Sequence, residues 1–300
     1  TGSIRNTVSN YSKPGDAVLT ADWFWAPYNS IAQEQGRTLE TYELLNKEGG
    51  FNKEAFDAKV NGLLAKQDSL VILLNTPAHN PTGYSLTLSD WDKVIETLSS
   101  AGSDKKITLF VDIAYIDFAG DEEEYRQFLP KLEELPANVL PVLGYSASKT
   151  FTLYGMRCGA TICMAKTAEI AAEFKQVCEF SARATWSNST RAAQKVIANI
   201  YEDEKLLAKV NEERKQYRDM LVARGRAFEK SAKEAGLEIV PFDSGFFASI
   251  PCPNPDEISR KLEKEGIFIV PLAKGLRVSV ASISEERCAA IPFKIAEAMK

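Results

Sequence analysis

One repeated pattern constrains the fold of this chain most strongly: from Ser69 onward, an apolar strand, a polar turn and an amphipathic helix follow one another. The pattern predicts strands at 70–75, 107–112 and 139–144, with helices at 88–100 and 122–132 between them. Because strands that alternate with helices are joined by right-handed crossovers, we expect an α/β fold with a mostly parallel sheet flanked by helices. In such a sheet, ligands bind at the carboxyl ends of the strands.

The two ends of the chain add further elements. The first residues predict a helix that ends near Tyr11, followed by a strand at 17–20. Residues 202–235 are charged, with apolar side chains at helical spacing, which predicts one long amphipathic helix. The remainder predicts strands at 237–240, 245–250, 267–270 and 276–281 and helices at 256–265 and 285–299. We therefore expect a large domain over 1–210 and a smaller α+β domain over 211–300, joined by the long helix.

The composition argues against two classes of partner. With a net charge of −5, the chain has no basic stripe for the phosphates of a nucleic acid. Its longest purely aliphatic run, 70–74, is five residues long and falls far short of a membrane span. A hydrophobic content of 45% in 300 residues is sufficient for a large core. We expect a globular protein that binds neither nucleic acid nor membrane.

The cysteines and the histidine limit the chemistry. The five cysteines are odd in number and never spaced as Cys-x-x-Cys, which favours a reduced, cytoplasmic protein over a disulfide or zinc scaffold. His79 is the single histidine, so histidine triads and multi-histidine metal sites are nearly excluded, and we expect no metal site. Proton transfer then has to use lysine, tyrosine, aspartate or glutamate.

Polar side chains follow three consecutive predicted strands. The first strand is followed by the turn 75–83, which is dense in asparagine, proline and glycine. Asp112 and Tyr115 follow the second strand, and Lys149 follows the third among serines. Because the carboxyl ends of parallel strands meet at one edge of a sheet, we expect an amide, a carboxylate, a phenol and an amine to converge on one crevice.

Lys149 lies between two apolar runs, 139–143 and 158–164, and is predicted to be a loop residue between buried strands. Apolar surroundings disfavour the charged ammonium form of a lysine, and an uncharged amine can condense with an aldehyde. Ser146, Ser148 and Arg157 lie close in sequence and together suit a phosphate dianion. This stretch alone is also compatible with an ordinary lysine in a surface loop.

A hydrolase is an alternative interpretation of the same stretch. Residues 146–149 satisfy Ser-x-x-Lys, the nucleophile motif of penicillin-binding proteins and serine β-lactamases. Those enzymes place the serine at the start of a helix, whereas residues 150–152 are Thr-Phe-Thr, which disfavours a helix there. No Lys-Thr-Gly or Ser-Asp-Asn follows, so this reading is disfavoured.

Taken together, the motifs resemble a known family. They are the turn His-Asn-Pro-Thr-Gly at 79–83, Asp112-x-x-Tyr115, Ser146-x-Ser148-Lys149, and Arg157 eight residues further on. This set closely resembles the class I aspartate and aromatic aminotransferases, which are pyridoxal-phosphate enzymes of fold type I. The resemblance runs over essentially all 300 residues. It implies pyridoxal 5'-phosphate as cofactor, transamination between an aspartate or aromatic amino acid and 2-oxoglutarate, and a homodimer.

The resemblance also implies roles for individual residues around the cofactor. Lys149 is expected to form the Schiff base with the cofactor aldehyde and then to move the α-proton of the substrate. Asp112 is expected to pair with the pyridine nitrogen, which keeps that nitrogen protonated. The remaining contacts implied are Asn80 and Tyr115 to the phenolate oxygen, Trp25 stacked on the ring, and Thr1, Gly2, Ser146, Ser148 and Arg157 to the phosphate.

Two arginines match the substrate-binding arginines of the family. Arg277 matches the arginine that binds the α-carboxylate with its planar fork, and Asn80 and Trp25 are expected beside it. Arg183 matches the arginine that reaches from one subunit to the side-chain carboxylate of the substrate in the other. The match favours a dicarboxylate substrate but leaves aromatic amino acids open, because the aromatic branch of the family keeps this arginine.

Three departures from the family pattern qualify the resemblance. Tyr28 stands where the aspartate enzymes usually carry histidine, which leaves the side-chain specificity open, and Ser189-Thr190 replaces a usual Pro-Pro. The family also places a long segment before the Thr-Gly motif, and this chain begins at that motif, so we expect a truncated chain whose own activity is open. The alternative function is an aminotransferase-like domain that acts as a non-catalytic ligand-binding or regulatory module.

Overall fold

The computed structural model describes every residue from Thr1 to Lys300, and the packing of the chain separates two units. The large unit comprises residues 1–76, 86–114 and 126–207, and the small unit comprises residues 77–85, 115–125 and 208–300. The domain boundary predicted near residue 210 stays a prediction.

The large unit is built on a six-stranded sheet. Its strands are β1 (Ala17–Ala21), β2 (Thr38–Tyr42), β3 (Ser69–Asn75), β4 (Lys106–Asp112), β5 (Val139–Ser146) and β6 (Gly159–Cys163). Their order across the sheet is β2-β1-β3-β4-β5-β6. The first five strands pair in parallel, and β6 pairs with β5 in the antiparallel sense. The predicted α/β class with a mostly parallel sheet is therefore confirmed.

Ten helices precede, separate or follow these strands in the sequence, and those at 122–126 and 204–234 belong largely to the small unit. They are α1 (Gly2–Tyr11), α2 (Pro27–Glu34), α3 (Lys53–Leu64), α4 (Leu88–Ser100), α5 (Glu122–Arg126), α6 (Phe128–Lys131), α7 (Ala147–Thr150), α8 (Ala168–Thr185), α9 (Arg191–Glu202) and α10 (Glu204–Glu234). Residues 70–74 of β3 are all buried, as expected for a central strand with apolar side chains on both faces. Ile4 and Val8 of α1 pack into one core cluster with Val18, Val71 and Phe110 of the strands. No helix combines the length and the apolar composition that crossing a membrane requires.

The small unit contains a second, antiparallel sheet. Its strands are β7 (Phe247–Pro251), β8 (Val270–Leu272) and β9 (Gly275–Ser279), in the order β7-β9-β8. The helices α11 (Pro255–Glu263) and α12 (Glu285–Ala298) follow in the same unit. Phe228 of α10 belongs to one core cluster with Ile250, Leu276 and Ile295, so the long helix packs its apolar face into this unit.

The structure corrects four of the predicted elements. The strand predicted at 267–270 lies instead at Val270–Leu272, because the backbone N–H of Ile267 donates to Leu262 at the end of the preceding helix. Residues 237–240 form no strand, because Val240 donates one backbone hydrogen bond to Ser249 and no ladder continues from it. The helix predicted at 122–132 is broken into α5 and α6. Pro130 has no N–H to donate to the carbonyl of Arg126, four residues earlier, and in a continuous helix its ring would clash with that carbonyl. Lys149, predicted in a loop, lies in the single helical turn of α7.

Two further features differ from the sequence analysis. Strand β2 and helix α3 lie in a stretch for which no elements were predicted. The side chains of β2 are mostly polar and only partly buried, because it is an edge strand of the sheet, so its sequence lacks the apolar run of a central strand. Strand β6, expected to be buried, is largely exposed in this chain.

Candidate active site

An acid and an amine follow neighbouring strands of the large unit. Strand β4 ends at Asp112, which lies opposite Gly144 in the parallel register with β5. Strand β5 runs on to Ser146, and α7 begins at the next residue and carries Lys149. The sheet register therefore places the carboxylate and the amine at the same edge, where ligands of parallel sheets bind.

The carboxylate of Asp112 is held by two donors. The Tyr28 hydroxyl donates to Oδ2 at 2.7 Å, and the backbone N–H of Ala114 donates to Oδ1 at 3.2 Å. Desolvation raises the pKa of Asp112, and the hydrogen bonds from Tyr28 and Ala114 act in the opposite direction. The two groups that donate hydrogen bonds to Asp112 are thus uncharged, and the carboxylate lies in a poorly solvated place.

Lys149 is half-buried on α7, whose other side chains Ala147, Ser148 and Thr150 are buried. Its Nζ lies 4.7 Å from the centroid of the Tyr154 ring. The guanidinium carbon of Arg157 lies 5.3 Å from the same centroid. Both cations therefore contact one aromatic ring, which is itself largely exposed.

Arg157 and Ser148, two of the predicted phosphate-binding residues, are brought together. The Arg157 Nη1 donates to Ser148 Oγ at 3.2 Å and to the backbone oxygen of Tyr154 at 2.6 Å. Arg157 has a left-handed backbone with φ of 52°, which is uncommon for a residue other than glycine. Ser146 occupies the N-cap position of α7 without using its side chain as a cap, so that hydroxyl is not needed by the helix.

Thr1 and Gly2 lie at the start of α1. Thr1 is exposed at the N-cap position and makes no side-chain cap. A Cβ added to Gly2 would lie 2.9 Å from Cη2 of Trp186. The glycine at this position therefore has a packing reason, the close approach of the tryptophan ring, which the sequence analysis did not identify.

Trp25 lies just before α2 and is half-buried. Its ring meets the Tyr28 ring edge to face, with 5.6 Å between centroids and an interplanar angle of 89°. Trp23, two residues earlier, is buried. The two tryptophans, only two residues apart in sequence, thus differ in burial.

The small unit carries a second group of predicted site residues. Asn80 is buried, its Nδ2 donates to the Tyr115 hydroxyl at 3.3 Å, and its Oδ1 accepts from Arg277 Nη1 at 3.1 Å. The guanidinium carbon of Arg277 lies 4.4 Å from the centroid of the Phe247 ring. Tyr115 meets the Phe246 ring at 5.2 Å between centroids. The structure therefore joins three predicted residues through Asn80 and adds two aromatic neighbours that sequence reasoning missed.

Arg277 has an unused donor. Its Nε is buried and has no hydrogen-bond partner, although one Nη1 donor is taken by Asn80. Burial lowers the pKa of Arg277, and the nearby Tyr115 acts in the opposite direction. A buried guanidinium donor without an acceptor costs free energy, so this position suits an anionic ligand that accepts from it.

The turn that carries Asn80 is set by local contacts. The backbone N–H of His79 donates to the Tyr84 carbonyl at 2.9 Å, and that of Gly83 donates to the His79 carbonyl at 2.6 Å. The His79 Nδ1 lies 2.8 Å from Thr82 Oγ1. Gly83 has φ of 80°, and an added Cβ would overlap the Phe242 ring. The turn therefore requires glycine at this residue.

Arg183 lies in the last turn of α8 and is exposed. Its Nη1 donates to Ser187 Oγ in the following loop at 2.7 Å. Within this chain Arg183 therefore makes a local hydrogen bond, and it takes no part in the contacts of Lys149 and Arg157 described above.

Tyr28 is the residue that sequence reasoning most underrated. Its departure from the family histidine was connected with side-chain specificity, whereas the structure places its hydroxyl on Asp112. The spacing from Trp25 singled out this residue, but its partner lies 84 residues away and leaves no local signal.

Known proteins resemble this chain over most of its length. The family model described as "Aminotransferase class I and II" matches residues 1–291. The aromatic-amino-acid aminotransferase of Escherichia coli is 27% identical over 90% of this chain, and the aspartate aminotransferase of the same organism is 27% identical over 96%. This chain spans 66% and 72% of the length of those two proteins, respectively.

Solved structures show the same fold. An aminotransferase from Anaerococcus prevotii superposes with a TM-score of 0.96 and 37% identity, covering all of this chain and 74% of that one. An aromatic-amino-acid aminotransferase from Burkholderia pseudomallei, described as covalently bound to pyridoxal phosphate, has a TM-score of 0.81 and 24% identity, covering all of this chain and 72% of that one. By its family model, its relatives and its fold, this chain belongs to the class I and II aminotransferases, whose cofactor is pyridoxal phosphate.

Proposed function

We propose that this chain transfers an amino group between an aspartate or aromatic amino acid and 2-oxoglutarate, with pyridoxal 5'-phosphate attached to Lys149 as a Schiff base. The observation that carries the proposal is the placement of Lys149 and Asp112 after neighbouring strands of one sheet. When bound, the cofactor supplies an electron sink for negative charge at the α-carbon of the substrate. The rest of the chemistry falls to side chains of this protein.

The donor set of the large unit fits this cofactor. Ser148 and Arg157 are joined by a hydrogen bond, and a hydroxyl beside a guanidinium suits a phosphate dianion. Ser146, with a hydroxyl that α7 does not use as a cap, and the start of α1 at Thr1 and Gly2 are the further donors that we propose for the phosphate. An amine, an anion-binding pair and a carboxylate are the three groups that hold an aldehyde, a phosphate and a pyridinium.

Asp112 is proposed to hold the pyridine nitrogen in its protonated form. Because desolvation disfavours the charged carboxylate, a cationic group placed beside Asp112 stabilises it. The same interaction keeps the proton on the ring nitrogen. Each unit by which the carboxylate raises the pKa of that nitrogen corresponds to about 1.4 kcal/mol of differential stabilisation.

Lys149 is proposed to act twice. It first holds the cofactor aldehyde, and after the substrate amine displaces it, its free amine takes and returns the proton at the α-carbon. Its position on a helical turn with buried neighbours limits its motion between the two tasks. Tyr154, whose ring contacts the ammonium in this structure, is a nearby surface against which the released side chain can rest.

Arg277 is proposed to bind the substrate α-carboxylate. Its guanidinium is oriented by Asn80 Oδ1 and by packing on the Phe247 ring, and its Nε is a buried donor without an acceptor. A planar fork with one fixed edge and one open donor suits a carboxylate. Asn80 and Tyr115, which are hydrogen-bonded to each other, are proposed for the cofactor phenolate oxygen, and Trp25 for stacking on the cofactor ring and lining the substrate.

The assembly that we propose is a homodimer in which each Arg183 binds a substrate side chain in the partner's site. Several large apolar side chains of the large unit are exposed on β6, α8, α9 and adjoining loops: Tyr154, Ile162, Phe180, Trp186, Val196 and Tyr201. Exposed apolar side chains in this number are typical of a protein interface. The hydrogen bond from Arg183 to Ser187 leaves other guanidinium donors for a carboxylate.

A cytoplasmic location, expected from the cysteines, stays a prediction.

Borohydride trapping tests the proposal directly. The chain incubated with pyridoxal phosphate and reduced with borohydride should carry a pyridoxyl group on Lys149, located by peptide mass spectrometry, and Lys149→Ala should carry none there. Lys166→Ala, which removes a lysine outside the site, is the control. A trapped group on another lysine, or saturable binding with no group trapped, contradicts the proposal. Trapping on Lys149 without turnover of any amino donor supports the ligand-binding alternative instead.

A further inference from the structure

Tyr28 is hydrogen-bonded to Asp112, the carboxylate assigned above to the ring nitrogen of the cofactor. Its hydroxyl donates to Asp112 Oδ2 at 2.7 Å, and the other oxygen accepts the backbone N–H of Ala114 at 3.2 Å. Each carboxylate oxygen thus has one donor from the protein and lone-pair capacity left for a ligand.

The donor is fixed in place. Tyr28 is 1% exposed and packs in the core cluster with Val18, Val71 and Phe110. The Trp25 ring closes on it edge to face, and Pro27 at the start of α2 restricts the backbone immediately before it. Because neither the ring nor the backbone is free to turn, the hydroxyl stays aimed at Asp112 without a cofactor present.

The type of donor matters for the carboxylate. A hydroxyl stabilises the charged form of Asp112 by a hydrogen bond but carries no charge of its own. A cationic donor at the same place would neutralise part of the carboxylate charge. The Tyr28 hydroxyl, being uncharged, leaves the charge of the Asp112 carboxylate for a cationic ligand atom.

We propose that Tyr28 is a positioning residue that holds the Asp112 carboxylate charged and oriented toward the pyridine nitrogen of the cofactor. The inference rests on the proposed function, because it assigns that nitrogen as the partner of Asp112. A purely structural tyrosine is the competing account, in which the ring fills the core and the hydroxyl bond is incidental.

Cofactor binding by the apo chain separates the two accounts. The dissociation constants of pyridoxal phosphate and of its analogue with a CH group in place of the ring nitrogen are measured by fluorescence titration. The ratio of the two constants reports only the contact at the nitrogen. Wild type should prefer the natural cofactor, Asp112→Asn should lose the preference, and Tyr28→Phe should lower it by on the order of tenfold, as expected for one hydrogen bond to a charged group.

Three further variants make the test decisive. Tyr11→Phe, at a tyrosine packed against the same core, is the matched control and should keep the preference of wild type. Tyr28→Phe combined with Asp112→Asn should lower the preference no further than Asp112→Asn alone. Tyr28→His, which restores a donor, should recover part of it, and it keeps the inference testable if Tyr28→Phe does not fold.

The outcomes distinguish this inference from the function on which it rests. If Asp112→Asn loses the preference while Tyr28→Phe keeps it in full, the inference is overturned and the proposed function stands. If wild type binds both compounds equally, or neither, the assignment of Asp112 to the ring nitrogen fails and both are overturned.

Discussion

At the scale of single residues, Asp112 is placed where its charge is unfavourable. Desolvation raises its pKa above the ordinary value, against the opposing hydrogen bond from Tyr28. A carboxyl group whose pKa is higher in the folded than in the unfolded state binds its proton more tightly when folded. Its contribution to stability is therefore complete below the unfolded pKa and is lost as the pH rises through the folded pKa. At neutral pH, where the unfolded chain has lost this proton, the raised pKa of Asp112 means that the group lowers the stability of the cofactor-free chain.

We therefore expect Asp112→Asn to raise the melting temperature of the cofactor-free chain at pH 7. The gain should shrink as the pH falls toward 3.8, the ordinary pKa of an aspartate, because wild type then carries the proton in both states. Scanning calorimetry between pH 4 and 7 measures this.

Asp68→Asn is the control, because that side chain is 81% exposed and an exposed charge contributes little to the melting temperature. A lower melting temperature for Asp112→Asn at pH 7 would contradict the prediction.

At the scale of elements, the turn 77–85 shows how local backbone geometry carries a site residue. Gly83 combines positive φ with a close approach of the Phe242 ring, and the hydrogen bonds between Tyr84, His79 and Thr82 close the turn around Asn80. A side chain at residue 83 is unfavourable for two reasons, the positive φ of the backbone and the overlap with the Phe242 ring.

Gly83→Ala should accordingly lower the free energy of unfolding by about 2 kcal/mol or more. Gly62→Ala is the matched control: this glycine lies within α3, has no neighbour within 4 Å of an added Cβ, and is exposed. That change should raise the free energy of unfolding by roughly 0.5 to 1 kcal/mol. Urea denaturation measures the free energy of unfolding of the two variants and shows whether each change lowers or raises it. Equal effects of the two changes would refute the claim that the turn requires glycine at residue 83.

Two helices illustrate when local sequence suffices for an element. Helix α4 has the bounds predicted for it, Leu88–Ser100, because Thr87 and Asp90 form a capping box at its start. The segment of α5 and α6 was predicted as one helix because its composition is helical, while Pro130 breaks it. In both cases the deciding signal lies within one helical turn.

At the scale of the whole molecule, the large unit exposes aromatic side chains that a solvated surface does not need. Phe180 is the most exposed of them at 78% and lies on α8, the helix that carries Arg183. The proposed homodimer covers this region, since an interface there would bury Phe180 and bring Arg183 to a neighbouring subunit.

We expect Phe180→Lys to weaken self-association by at least about tenfold, because the interface would then have to bury a charge. Phe268→Lys is the matched control: Phe268 is 81% exposed but belongs to the small unit, away from β6, α8 and α9 in the chain. Sedimentation equilibrium of the two variants beside wild type measures the difference. A wild-type chain that stays monomeric at all concentrations, or equal effects of the two changes, would exclude this interface.

Local sequence patterns were enough to predict the alternation of strands and helices, the parallel sheet, the family and the candidate residues at the strand ends. Those signals are local: apolar runs such as 70–74, caps such as Thr87, and motifs such as 79–83 each lie within a few residues. Their physical cause is short-range, in backbone propensity and in the burial of one face or two.

Contacts between side chains that are distant in sequence became known from the three-dimensional packing. Tyr28 donates to Asp112 across 84 residues, and Arg277 donates to Asn80 across 197 residues. The partner of Gly2 is Trp186, which no pattern near either residue predicts. Such contacts depend on how a whole unit packs, because the free energy that selects them comes from the burial and hydrogen bonding of many elements together, and a local stretch of sequence does not specify that packing.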